Sequence, residues 1–232
     1  MYKNRTFLAI IPARAGSKRL PNKNILKLNN KPLIAYTINS ALNSKYIDKV
    51  IVSSDSKEIL EITKKYKATP LKRPKEIAND NSLVIDAINH TLKYYKNYDF
   101  LVLLQPTSPL RDNIDIDNAI KLLLQKDGDG VISVCQMKHS PLWANRLDDS
   151  LLMDNFLKDE IKGKRSQVLP KYYRLNGAIY ICNIKRFLDE QTLFLKDNIY
   201  AFIMDQKKSI DIDEEIDFQL AKILLREKKN IC

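Results

Sequence analysis

Residues 7–24 read FLAIIPARAGSKRLPNKN, and the way this stretch folds sets the class of the whole chain. Its first six residues are a continuous apolar run stopped by Pro12, the pattern of a β-strand buried on both faces, as in a parallel sheet covered by helices. The next eleven carry Arg14, Lys18, Arg19 and Lys23 with no acid among them. Such a loop is either a solvated basic turn or a holder for something strongly anionic. Its place after a buried first strand favours the second reading, because parallel α/β sheets bind ligands beyond the carboxyl ends of their strands.

The same alternation continues outward. Pro32 suits the first turn of a helix over PLIAYTINSALN (32–43). KVIVSS (49–54) is a second strand, and SKEILEITKKYK (56–67) is an amphipathic helix capped by Ser56, with Ile59, Leu60, Thr63 and Tyr66 on one face. A polar loop RPKEIANDN (73–81), a helix over 82–96 and the strand DFLVLLQ (99–105) follow, ended by the prolines of PTSPLR. A helix over 114–125, the turn DGDG (127–130) and the strand VISVC (131–135) come next. From 136 to 170 the alternation fades. It returns with strands in NGAIYICN (176–183) and IYAFIMD (199–205) and closes on a helix over 214–229. Alternating strands and helices predict an α/β fold around a mostly parallel sheet. Residues 1–135 and 171–232 form its main domain, and 136–170 are an inserted or oligomerising segment. ARAGSKRLPNKN, QPTSPLR and SIDID (209–213) all follow strands and are expected to meet at one edge.

At 232 residues with 44% hydrophobic content the chain can bury a sizeable core. No apolar run approaches the roughly 18 residues of a membrane span, and MYKNRTFLAIIPAR lacks the pattern of a signal peptide, so a cytoplasmic protein without membrane contact is expected. Cys135, Cys182 and Cys232 show no metal or redox spacing and read as inert thiols. The net charge of +11 raises nucleic-acid binding as a rival function. However, the first acid is Asp48 and the preceding residues hold nine Lys or Arg, so the imbalance is concentrated at the N-terminus. A nucleic-acid surface interleaves cations with aromatics. Here the cations cluster without them, while Tyr94, Tyr95 and Tyr98 sit at the end of a predicted helix; no nucleic-acid partner is expected.

Gly16 is the only glycine before Gly128, which excludes the glycine-rich phosphate loops and leaves any phosphate here to side-chain cations. Arg14 can grip two phosphate oxygens at once, and Lys18 and Lys23 add compact charges. In SIDID an extended chain would turn Asp211 and Asp213 to one side and Ile210 and Ile212 to the core, so that the carboxylates share one hard cation such as magnesium. The competing reading makes Asp213 a helix cap and Asp211 merely exposed.

IPARAGSKRLPNKN, RPKEIANDNS, LLQPTSPLR, LPKYYRLNGAIY and SIDIDEEIDF, in this order, closely resemble the CMP-sialic acid synthetases, or acylneuraminate cytidylyltransferases, including the CMP-legionaminic and CMP-pseudaminic acid synthetases. The resemblance runs from Ile10 to Leu220. It implies a Rossmann-like nucleotidyltransferase fold, a homodimer held through 136–170, and activation of a nonulosonic acid (a nine-carbon 2-keto sugar acid) by CTP. It places Arg14, Ser17, Lys18, Lys23 and Asn24 on the triphosphate, and Arg73 and Gln105 on the nucleotide and sugar pockets. Tyr180 falls on a sugar contact and Asp211 and Asp213 on Mg2+. Arg14, Lys18, Lys23 and Asp211 are the expected catalytic residues.

The resemblance breaks in one place. The family commonly shows an R-Q-x-L-P run whose arginine suits the sugar carboxylate, but here Ser166 precedes Gln167 and Arg165 is shifted by one. Arg165 is the candidate to take over that contact, and the choice among N-acetylneuraminic, legionaminic and pseudaminic acids stays open. KRLPNKN is also similar to the enzymes that activate the eight-carbon acid Kdo, whereas SIDID and NGAIY argue for the nine-carbon branch. No histidine sits in these motifs, which leaves the proton acceptor open between the aspartates and a metal-bound hydroxide.

Overall fold

A computed structural model describes residues 4–230; Cys232 lies outside them. In chain order the elements are β1 (Phe7–Pro12), a small hairpin of β2 (Lys27–Leu28) and β3 (Lys31–Pro32), α1 (Leu33–Leu42), β4 (Lys49–Ser54), α2 (Lys57–Lys65) and β5 (Thr69–Lys72). There follow α3 (Val84–Leu92), β6 (Phe100–Leu103), α4 (Asn113–Gln125), β7 (Gly130–Gln136), β8 (Tyr173–Asn183), α5 (Ile184–Glu190), β9 (Ile199–Met204) and α6 (Glu215–Asn230). Seven strands form one sheet in the order β5-β4-β1-β6-β8-β7-β9. β1 pairs in parallel with β4 and β6, β4 with β5, and β7 with β9. The sheet is thus mostly parallel, as expected.

The apolar run of β1 is continuous because both its faces are covered. Phe7, Ala9 and Ile11 enter a core built with Ile34 and Ile38 of α1 and Ile116 and Ile120 of α4. Leu8 and Ile10 enter a second core, on the opposite face, with Ile88 of α3 and Phe187 of α5. Ser56 caps α2 by accepting from Ile59 N at 3.3 Å. No helix among the described residues is long and apolar enough to cross a membrane.

Several features depart from the expected alternation, among them the β2–β3 hairpin, which takes in Pro32 so that α1 begins at Leu33. Thr69–Lys72 adds an edge strand and Ile184–Glu190 a short helix that the sequence pattern does not display, and α3 ends at Leu92, short of residue 96. β8 runs antiparallel to both β6 and β7, with Leu103 opposite Tyr180. Its first residues therefore lie at the same edge as the carboxyl ends of β1, β6 and β7. Between Ile132 and Val134 of β7, β8 advances from Tyr180 to Leu175, an irregularity that bows its start out of register. Ser133 Oγ holds the distortion together, 2.6 Å from Asn176 Oδ1 and accepting from Ile179 N at 2.8 Å. Between β7 and β8, residues 137–172 carry only two 3-10 turns, Pro141–Trp143 and Ser166–Val168.

Candidate active site

A cleft of about 550 Å3 opens where the loops at the carboxyl ends of β1, β5 and β6 meet the loop after β9. Arg14, Ser17, Lys18, Lys23, Asn24, Arg73 and Gln105 all line it, together with Asp213, so the three expected strand-end loops do come together.

The backbone of the basic loop is pinned while Lys18 and Arg19 remain in solvent, Arg14 is half-buried and Lys23 is nearly buried. Ala15 N donates to Asp55 Oδ1 at 3.0 Å, and the buried Asn24 donates from Nδ2 to Arg14 O at 3.0 Å. Arg14 Nη1 lies 2.9 Å from Asp80 Oδ1 and donates to Asn79 O at 2.9 Å; Lys18 Nζ lies 2.9 Å from Asp80 Oδ2. Beneath them Arg73 is only 5% exposed and its Nε has no hydrogen-bond partner. Burial lowers its pKa, Asp55 opposes that shift and Arg14 adds to it.

Opposite stands the aspartate loop. Residues 209–213 are irregular rather than a strand, yet Ile212 is buried and Ile210 packs beside it, as expected for the core-facing pair. Asp213 Oδ1 accepts from Lys23 Nζ at 3.1 Å and its Oδ2 from Arg19 at 3.2 Å; Lys23 Nζ also donates to Ile212 O. The cap of α6 is Asp217, whose Oδ2 accepts from Asp213 N and Glu214 N, so the capping alternative for Asp213 does not hold. Asp211 is a different kind of carboxyl. Burial raises its pKa; Thr107 and Lys23 pull it down and Asp213 pushes it up further. Its Oδ1 and the Thr107 hydroxyl are both buried without a hydrogen bond of ordinary geometry.

The distorted start of β8 packs against Gln105 and Asp211, behind the cleft lining. Gly177 has φ of +71°, and a Cβ there would sit 3.2 Å from Gln105 Oε1 and 3.5 Å from Asp211 Oδ2. The positive φ favours glycine here, and a Cβ would also crowd the Gln105 side chain. Tyr180 is nearly buried beside Asp211 and meets Phe194 edge-on at 6.3 Å. Burial, then the Asp211 charge, raises its pKa.

Arg165 is not brought to the cleft lining: it is exposed at the start of the Ser166–Val168 turn. The sequence reading also missed Asp55, Asp80, Thr107 and Gly177, although each lies in or next to a quoted motif. It missed Arg111 as well, 1% exposed, whose Nη1 donates to Ala178 O at 2.9 Å and Gln105 O at 3.3 Å. Burial lowers its pKa to about 10. Cys135 and Cys182 are buried free thiols, and burial pushes Cys182 up to about 12, as suits inert packing residues. His90 is a packing residue on α3, edge-on to Tyr94.

No group of three His, Cys, Asp or Glu side chains able to hold a metal occurs among the described residues. Asp211, desolvated and with Oδ1 lacking a hydrogen bond of ordinary geometry, fits a ligand of an ion that completes its shell from phosphate and water, and Asp213 would join it by giving up Lys23 and Arg19.

The comparisons agree with this geometry. A family model described as cytidylyltransferase matches residues 8–231. N-acylneuraminate cytidylyltransferase of Escherichia coli is 42% identical over 225 residues, covering 96% of this chain and 52% of that one, so the chain spans about half the length of this relative. CMP-N,N'-diacetyllegionaminic acid synthase of Legionella pneumophila is 36% identical over 94% of this chain and 95% of its own. The solved structure of CMP:2-keto-3-deoxy-manno-octonic acid synthetase complexed with CTP superposes with a TM-score of 0.70 at 17% identity, covering 96% of this chain and 99% of that one, which speaks for the fold alone. A matched family model over nearly the whole chain, relatives well above the level of chance and a cationic cleft at the right sheet edge lead to one conclusion: the chain belongs to the cytidylyltransferase family.

Proposed function

We propose that the protein transfers the cytidylyl group of CTP to a nonulosonic acid, giving a CMP-sugar and pyrophosphate. The observation that carries this reading is Lys23. It leaves the loop after β1 and reaches Asp213 and the Ile212 carbonyl, which makes the cationic loop and the carboxylate pair two walls of one site. A nucleotide triphosphate needs such an arrangement, because several phosphate charges must be neutralised while a hydroxyl approaches the α-phosphorus.

In the reaction the anomeric hydroxyl of the sugar attacks the α-phosphate in line, the α–β anhydride bond breaks and pyrophosphate leaves. Arg14 would fork across two phosphate oxygens, with Lys18 and Lys23 meeting the charge that develops on the leaving group. Asp55 and Asn24 already fix the loop backbone from which these cations project. Asp211 and Asp213 would hold magnesium, whose chemistry is to neutralise phosphate charge. Gln105 and Tyr180, flanking Asp211, would face the sugar, and Arg165 would have to move to reach its carboxylate.

Residues 136–170 would bind a second copy to form a homodimer. Leu147, Leu151, Leu152 and Met153 are exposed there with no regular element to cover them. Sedimentation should then give a dimer that Leu151→Asp/Leu152→Asp converts to monomer. With CTP as a soluble substrate, the reaction is placed in the cytoplasm.

The test of the reaction is pyrophosphate release with CTP and magnesium over N-acetylneuraminic, legionaminic, pseudaminic and Kdo acids, with UTP and ATP as controls. Release with CTP and one nonulosonic acid is expected. Release with Kdo alone would move the enzyme to the eight-carbon branch, and silence from folded protein over the whole panel would overturn the proposal.

A further inference from the structure

Two cations of the loop, Arg14 and Lys18, already have an anion between them. Asp80 places Oδ1 2.9 Å from Arg14 Nη1 and Oδ2 2.9 Å from Lys18 Nζ, one carboxylate oxygen per cation, as two oxygens of a single phosphate would. Asp80 itself lines the cleft. The hydrogen bonds that shape its loop do not run through its carboxylate. That loop is held by its neighbours: Asn79 N donates to Ser82 Oγ at 3.0 Å, Asn81 N to Asn79 Oδ1 at 2.9 Å, Asn79 Nδ2 to Glu76 O at 2.8 Å and Ser82 N to Asn79 O at 3.2 Å. Asp80 is also 45% exposed, so its side chain can turn outward without breaking any of these bonds.

We infer that Asp80 is an internal competitor for the polyphosphate: it occupies Arg14 and Lys18 with its own carboxylate, yields them to the triphosphate of the incoming nucleotide, and takes them back as pyrophosphate leaves. This rests on the proposed function. A triphosphate outcompetes a single carboxylate because it brings several charges to the same two cations, while the lone charge of Asp80 keeps the affinity for the pyrophosphate product from rising to the point of trapping it. Asp80 is therefore an affinity-setting residue, not a catalytic one.

The experiment measures binding of CTP, pyrophosphate and inorganic tripolyphosphate by calorimetry to the wild type, Asp80→Asn and Glu61→Gln. The last removes an equal charge from an exposed ion pair with Lys64 on α2. Asp80→Asn is expected to bind tripolyphosphate and pyrophosphate about fivefold more tightly than wild type, the scale on which exposed ion pairs act. Pyrophosphate should also become the stronger product inhibitor, while Glu61→Gln stays near wild type. Equal or weaker binding by Asp80→Asn, or the same gain in Glu61→Gln, would overturn the inference with the cytidylyltransferase reading intact. If the wild type bound neither CTP nor tripolyphosphate, that reading would fall first and the role of Asp80 with it.

Discussion

The two walls of the cleft handle charge in opposite ways. On the loop after β1, Lys18 and Arg19 are exposed and Arg14 is half-buried, and all three are paired by Asp80 and Asp213, so each can exchange one anion for another at small cost. The other wall is lined by Thr107 and Asp213, and behind that lining Asp211 is drawn among Thr107, Gly177 and Tyr180, with its charge opposed by burial. One wall is suited to rapid binding and release of a polyanion, whereas the other holds a carboxylate whose ionised form is stabilised once a cation arrives. The proposed reaction, which admits a nucleoside triphosphate and expels pyrophosphate, would need both.

The comparison is tested most severely at Asp211. Asp211→Asn is expected to lower turnover at least about 100-fold, the scale of losing a principal charge-stabilising group. The same change should raise Tm at neutral pH. The folded-state pKa of Asp211 lies above the unfolded value of 3.8, so the native state binds its proton more tightly and wild-type stability falls as pH rises from the unfolded value through the folded one. The variant lacks that loss. Thermal melts across pH should therefore show its advantage at neutral pH and none in acid below 3.8; a lower Tm at pH 7 would show that Asp211 is a structural group. Lys23→Met removes the link between the walls, and a roughly tenfold fall in kcat/KM is expected. A change confined to Tm would deny Lys23 its place on the nucleotide.

Gly177→Ala probes the distortion that brings β8 to the cleft. With φ at +71° and a Cβ 3.2 Å from Gln105 Oε1, a stability loss of about 1–2 kcal/mol is expected together with a raised KM for the sugar acid. An unchanged KM would separate this wall from sugar binding. Ser56→Ala, at the start of α2 and away from the cleft lining, should cost about 1 kcal/mol of stability and leave kcat/KM alone.

These regions also differ in how far the sequence displays them. β1 and β4 are recovered to the residue, because strands buried on both faces read as unbroken apolar runs bounded by polar loops. The basic loop and the aspartate pair are visible as clustered charge. What escapes is set by long-range geometry. The antiparallel direction of β8 leaves no mark on an apolar run, and α5, only seven residues long, is too short to show a period. Asp80 lies 66 and 62 positions from its two cations, at 80 − 14 and 80 − 18, and nothing local announces the meeting. Arg111 looks like a surface charge until the strands close over it. Arg165 shows the converse: a motif can supply a residue type without bringing it to the site in this arrangement.

The most direct test of a single site with two walls is the affinity for CTP with and without magnesium, in the wild type and in Asp211→Asn. Magnesium should tighten CTP binding by the wild type about tenfold or more, while the variant keeps the magnesium-independent affinity of its cationic loop and loses most of that gain. An equal magnesium gain in both proteins would contradict the account, because the ion would then be binding without the wall that Asp211 builds.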